Sequence, residues 1–203
     1  MFNATPLDIK KQYFKEVENM SKIVIHTPIV QDEIDRLRAG DIVYLTGSII
    51  TGRDSAHKKF IDLLDSGKEL PVDIQDQAIF YVGPTPPPPG KVIGSCGPTT
   101  SGRMDAYAPR LLDLGLKAMI GKGQRSPEVV DAIVRNKAIY FAATGGAGAL
   151  LSGCVKSSKI VAFEELGPEA VRILEVENMP LIVAIDTEGN DLYTIGRKEY
   201  NQL

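Results

Sequence analysis

The chain has few cysteines, little net charge and no long apolar stretch, and each shortage excludes a class of protein. Among its 203 residues only Cys96 and Cys154 are cysteines, too few for a disulfide framework. In an intracellular-looking chain, two thiols are expected to stay free. A formal net charge of -3, with the basic residues spread along the chain, leaves no electrostatic footprint of a nucleic-acid binder. The longest apolar runs, 138–143 and 181–185, fall far short of the roughly 20 residues a membrane span needs. The opening Met1-Phe-Asn-Ala-Thr-Pro lacks the basic start and apolar stretch of a signal peptide. The expectation is a cytoplasmic protein that binds neither membrane nor nucleic acid. A 43% hydrophobic content supports one globular domain with a real core.

What the chain does have is a dense collection of hydroxyls, glycines and cations around loops. From Lys91 the sequence reads as a short strand to Ser95, a break at Gly97-Pro98, and an amphipathic helix from about Gly102 with Met104, Tyr107, Leu111, Leu112 and Leu114 on one side. Thr99, Thr100 and Ser101 then stand at a helix start, where unpaired amides and the helix dipole favour an anion. Arg103 adds a planar fork suited to a carboxylate. Gly121-Lys-Gly-Gln-Arg-Ser126 marks a second junction and Gly52-Arg53 a third.

The coarse pattern is strand, turn and helix in alternation. Thr5-Pro6 caps a polar helix to about Met20. Strands are expected at 23–26, 41–50, 77–82, 117–120, 138–143, 155–164, 181–186 and 191–195, and helices at 32–37, 54–64, 126–136 and from Pro168. Residues 83–90, rich in proline, form an extended surface connection. The fold class expected is α/β, a mixed sheet flanked by helices, with ligand-binding loops gathered at one end of the strands.

Four separated motifs, Leu45-Thr-Gly-Ser-Ile-Ile-Thr-Gly-Arg-Asp-Ser-Ala-His57, Gly97-Pro-Thr-Thr-Ser-Gly-Arg-Met-Asp-Ala-Tyr107, Gly121-Lys-Gly-Gln-Arg-Ser126 and Asp186-Thr-Glu-Gly-Asn-Asp-Leu-Tyr193, resemble the β subunit of class I, iron–sulfur fumarate hydratases. The same region forms the C-terminal domain of single-chain members, and the L-tartrate dehydratase β subunit shares the outline. The motif resemblance runs from about Ser21 to the C-terminus, which divides the chain into an N-terminal extension (1–20) and a catalytic domain (21–203). The Ser101 to Asp105 and Gly121 to Ser126 motifs look more like fumarase than tartrate dehydratase.

The resemblance implies a swivelling β/β/α domain, a hydro-lyase acting on fumarate and malate, and an α-subunit partner in a hetero-oligomer containing a β homodimer. The 4Fe-4S cluster of such enzymes takes three or four cysteine thiolates, so with two cysteines this chain is expected to rely on its partner for it. By the same resemblance Thr99 takes the place of the proposed base, Lys122 is assigned with it to catalysis, and Arg53, Arg103, Lys122 and Thr100 take the places of substrate contacts. A threonine hydroxyl is a very weak base, and a dense positive field in a water-poor pocket would be needed to sustain that role.

Plainer roles stand beside these. Thr99 can be a helix cap, and Arg53 and Arg103 can pair with Asp54 and Asp105. Lys122 between two glycines reads as functional, the glycines allowing close approach to a ligand. Arg125-Ser126 is a further candidate for an anion. Cys96 is read as a small buried hydrophobe in preference to an iron ligand, and His57 as either orienting the site or packing. Gly145-Gly146-Ala-Gly148 lacks the full dinucleotide spacing and is assigned to tight packing. A tartrate or related hydroxy-diacid dehydratase subunit is the alternative enzyme, and an anion-binding module without catalysis the alternative outside enzymes.

Overall fold

The computed structural model describes residues 22–200, with the backbone alone for 198–200. The helix expected over 5–20 lies outside the described residues. The short apolar runs become the central strands. β1 (Ile23–His26), β2 (Ile42–Thr51), β3 (Ala78–Phe80), β4 (Ala118–Gly121) and β5 (Ile139–Ala142) lie side by side and parallel in that order. β6 (Val155–Ala162) runs antiparallel to β7 (Val171–Ile185). β7 pairs antiparallel with β5 near its end and with β2 along most of its length. Its double pairing closes β2, β3, β4, β5 and β7 into a ring, with β1 and β6 as outer partners. The result is the mixed α/β sheet flanked by helices that the sequence predicts.

Alternation along the strands sorts the core into two layers. Leu45, Phe80, Ile120, Phe141, Leu181 and Val183 pack together on one face. Ile79, Tyr81, Met119, Tyr140 and Ala184 point the other way, against the helices. After α1 (Gln31–Ile34), α2 (Asp54–Asp65) buries Ala56, His57 and Phe60. α3 (Ala108–Asp113) buries Ala108, Leu111 and Leu112, and α4 (Pro127–Asn136) buries Val129, Ala132 and Ile133. These are the spacings of an apolar helical stripe. Proline at the first position of α4 has the φ a helix needs and no amide to leave unpaired. α5 (Gly148–Gly153) and α6 (Leu192–Tyr200) complete the set.

Four local expectations differ from the structure. Residues 91–95 form no strand, because Gly94 and Ser95 bond back to Thr85 of the proline-rich loop. The helix expected from Gly102 is a four-residue 3-10 turn, Ser101–Met104, separated from α3, and Leu114 is exposed. Pro109 explains the gap, since proline within a continuous helix removes one amide and clashes with the preceding turn. The helix expected from Pro168 is a 3-10 turn, Glu164–Glu169, followed by β7. The spacing of Val171 and Leu174 imitates a helix, but a chain that can pair along both edges, with β2 and β6, gains more as a strand. The strand expected at 191–195 is the start of α6. Asp191 accepts hydrogen bonds from the Tyr193 amide (2.9 Å) and the Thr194 hydroxyl (2.8 Å), which is a helix cap.

Of Gly145, Gly146 and Gly148 after β5, assigned from sequence to tight helix–sheet packing, only Gly148 is closely packed, and against a loop; Gly145 and Gly146 stand in open space, Gly146 with φ +83°. Gly148 accepts a hydrogen bond from the Cys96 amide (3.0 Å), and a Cβ there would stand 3.0 Å from the Gly97 nitrogen. Gly148→Ala is therefore expected to destabilise the fold by about 1–3 kcal/mol through overpacking, read as a lowered urea midpoint with an unchanged slope.

Candidate active site

β2 to β5 are parallel, so their carboxyl ends share one edge, and the motif residues follow those ends. Arg53 follows β2, and Lys122 follows β4. Thr99 is drawn to the same edge by its backbone. Its amide donates to the Tyr81 carbonyl (2.7 Å), and its carbonyl accepts from the Lys122 amide (3.3 Å). The Ser101 amide then donates to the Lys122 carbonyl (2.8 Å), so the stretch 99–101 lies beside Lys122 as a short parallel bridge. Thr99, Thr100 and Lys122 are thus neighbours across two strands, although 22 or more positions separate them in sequence.

The anion cradle expected at a helix start is not how this loop is built. A four-residue 3-10 turn has little dipole, and the Thr99 and Ser101 amides are already engaged. Thr100 holds the cap position with no side-chain capping bond, so the capping role weighed for Thr99 is not realised. The site's positive charge comes from side chains.

Arg103 pairs not with Asp105 but with Asp54, Nε to Oδ1 at 2.7 Å. Arg53 donates from Nε to the other Asp54 oxygen at 3.2 Å and stands 3.5 Å from Glu169 Oε1. One carboxylate therefore joins two arginines from different junctions. Burial works against the charge on Asp54, but its own backbone amide, Arg53 and Arg103 outweigh it and hold the carboxyl below its ordinary range. Lys122 is exposed and forms no ion pair among the described residues, the pairs of this region going to Arg53, Arg103 and Arg125.

Arg125 is structural, contrary to the anion-binding role considered for it. Its side chain is fully buried, with Nε 2.7 Å from Asp105 Oδ1, and the guanidinium lies 5.4 Å and 5.0 Å from the ring centres of Tyr81 and Tyr140. Asp105 also accepts from the Ser126 amide (2.7 Å), so this aspartate stitches two of the sequence motifs together. The glycines beside Lys122 have structural reasons too. A Cβ on Gly121 would collide with the buried Ser101 hydroxyl and stand 2.9 Å from the Tyr81 ring, and Gly123 has φ +84°. Ser101 itself bonds to the Tyr140 hydroxyl (2.8 Å). Tyr140 donates to the Gly123 carbonyl (2.9 Å) and the Gly123 amide donates to the Tyr193 hydroxyl (3.1 Å), which fixes the loop that presents Lys122. Sequence reading missed these supports: Ser101, Asp105, Arg125 and Tyr193 lie within the motifs, but Tyr81, just after β3, and Tyr140, within β5, lie outside them.

His57 does both things open to it. It is wholly buried against Phe60 and Tyr81, and its Nδ1 lies 3.0 Å from the Arg53 carbonyl, a bond it makes as donor. Burial lowers its pKa to about 4.

Clefts lie beside the proline-rich loop, beside Arg125 and Asn190, and beside Val72, and none of these is lined by Thr99, Thr100, Arg53, Arg103 or Lys122. Thr100, Arg103 and Lys122 are exposed, and Arg53 and Thr99 half-buried, so the site faces outward.

With this geometry in view, the comparisons with known proteins are decisive. The family model described as "Fumarase C-terminus" matches residues 2–196. The chain belongs to the fumarase C-terminal family. The match begins ahead of Ser21, where the motif resemblance starts. The class I anaerobic fumarate hydratase of Escherichia coli (strain K12) is 45% identical over 151 residues, 73% of this chain and 28% of that protein. The putative L(+)-tartrate dehydratase subunit beta of Methanocaldococcus jannaschii is 41% identical over 182 residues, 86% of this chain and 93% of the relative. The L(+)-tartrate dehydratase subunit beta of E. coli K12 is 34% identical over 182 residues, 87% and 89% respectively. This chain thus spans just over a quarter of the length of the fumarate hydratases and most of the length of the tartrate dehydratase β subunits.

Among the described residues of this fumarase-family chain, no set of side chains suits an iron–sulfur cluster. Cys96 is buried with Sγ 3.5 Å from the Gly94 carbonyl, and burial pushes its thiol up to about 11, the reverse of a ready thiolate. Among the described residues no three His, Cys, Asp or Glu side chains converge on a metal position, and no helix is long and apolar enough to cross a membrane.

Two outcomes are expected. Asp105→Ala leaves the Arg125 charge buried without its partner and should cost about 3–5 kcal/mol, measured by denaturant unfolding. His57, neutral in the fold, has a folded pKa below its unfolded value. Its contribution is complete above pH 6.5 and is lost as pH falls toward 4, about 3 kcal/mol in all. Unfolding free energy should decline over that window in the wild type and decline less in His57→Gln.

Proposed function

We propose that this chain is the β subunit of a class I fumarate hydratase, a hydro-lyase that interconverts fumarate and (S)-malate in complex with an α subunit. The observation that carries the reading is the convergence of Arg53, Arg103, Lys122, Thr99 and Thr100 at one edge of the sheet, on an open face. The 4Fe-4S cluster that the reading requires belongs to the α subunit, and an open face is what a site completed by another chain needs.

Fumarate and malate are dianions of small size. Arg53 and Arg103, joined through Asp54, offer paired donors to one carboxylate. Lys122, unpaired among the described residues, adds a point charge at the end of β4, with β3 between it and β2, and Thr100 beside it adds a hydroxyl. Thr99 is the group assigned to the carbon-bound proton. Its main chain is clamped to Tyr81 and Lys122, which fixes where the hydroxyl stands. Closure by the partner would exclude water and strengthen the positive field that a threonine base requires.

The 41% and 34% identity to two L(+)-tartrate dehydratase β subunits supports a second reading, a dehydratase of tartrate or a related hydroxy-diacid. The two are separated by assaying this chain, co-purified with its cluster-bearing partner, on fumarate, malate and tartrate. Turnover of fumarate and malate is expected, and turnover of tartrate alone overturns the first reading. In the active pair, Thr99→Ala and Lys122→Ala should each lower kcat/KM at least about 100-fold with iron content unchanged. Full activity in both variants would make this chain a binding module instead.

A further inference from the structure

Building on the proposed function, we infer that Asp54 is a positioning residue that fixes Arg53 and Arg103 as a single carboxylate-binding pair. An acid beside a site for dianions is electrostatically unfavourable, so its presence calls for a reason. Stability supplies little of one: the Arg103 side chain is 52% exposed and Asp54 28%, and an exposed pair of this kind contributes little.

The geometry supplies another reason. Asp54 meets both arginines through Nε, with one oxygen for each. An arginine has five N–H donors, so taking the Nε hydrogen leaves the terminal nitrogens for a ligand and sets the plane in which they lie. Arg53 is held on two more sides. Glu169 Oε1 stands 3.5 Å from its Nε while Glu169 Oε2 accepts from the Ser55 amide (2.8 Å), so the acid is itself anchored to the start of α2. Gly83 lies against the guanidinium, where a Cβ would be 3.1 Å from Cδ and 3.2 Å from Nη1 of Arg53. Arg103 has no second acidic partner among the described residues, so Asp54 is what ties the 3-10 turn to the start of α2 through charge. Asp54 follows Arg53 directly and is the acid in the first turn of α2, where its carboxylate also meets its own backbone amide, while Arg53 holds the cap position.

The two roles give opposite signs. If Asp54 acted only through its charge, removing it would strengthen dianion binding and lower KM. If it positions the arginines, removing it disperses them and raises KM.

The test uses this chain in complex with its cluster-bearing partner, and compares wild type, Asp54→Asn, Asp54→Ala, Arg103→Ala and the double variant Asp54→Ala/Arg103→Ala on the dicarboxylate that the wild type turns over. Expected is a KM raised about tenfold or more in Asp54→Ala, with melting temperature and iron content close to wild type. Asp54→Asn, equal in size but offering one acceptor oxygen for two guanidinium groups, should show a smaller rise. In the Arg103→Ala background the further effect of Asp54→Ala should shrink to about threefold or less, because one of its two arginines is gone. An unchanged or lowered KM in Asp54→Asn, or full additivity in the double variant, overturns the inference while leaving the proposed function standing. Absence of dicarboxylate turnover in the wild-type pair overturns both.

Discussion

The pairing of β7 along two edges governs the rest of the molecule. Without it, β1 to β5 would be an open parallel sheet and β7 a hairpin arm with β6. With it, the sheet closes, its interior fills with Leu45, Phe80, Ile120 and Phe141, and the outward faces must be covered by α2, α3 and α4. Closure also brings the carboxyl ends of four parallel strands to one rim. The chain needs only short loops to place Arg53, Thr99 and Lys122 on that rim.

A second level of organisation is electrostatic, and it separates cations by burial. Arg125 is sealed in with Asp105 between two tyrosine rings, where its charge is spent on holding two motifs together. Arg53 and Arg103 stand partly exposed and share Asp54. Lys122 is exposed, on a loop braced by Tyr140 and Tyr193. Residues adjacent in one motif therefore have opposite jobs, one building the platform and the next standing on it. An open, positively charged face with a rigid base is what a site shared between two chains requires.

Much of this was legible in residue order, and where it was not the cause is local ambiguity resolved by distant partners. Continuous apolar runs at 118–121 and 139–142 read as buried strands because nothing else of that length and composition fits. The segment from Pro168 reads as a helix, and only β2 and β6 on either side of β7 decide otherwise. Asp191 was a cap hidden behind a turn, and Pro109 a stop hidden inside an apolar stripe. In the site, the motif cations were visible as cations, but Arg103 was matched to its sequence neighbour Asp105 when its partner is Asp54, about fifty positions earlier.

The sequence by itself determined the α/β class, the family and the cations gathered at loop ends. These follow from composition and short-range pattern, which need no knowledge of neighbours. The tertiary structure alone decided which acid holds which arginine, which glycines serve packing, and that the positive charge at the candidate site comes from side chains and not from a helix end. Ion pairs and close approaches are set by distances across the sheet, and sequence separation carries no record of those distances.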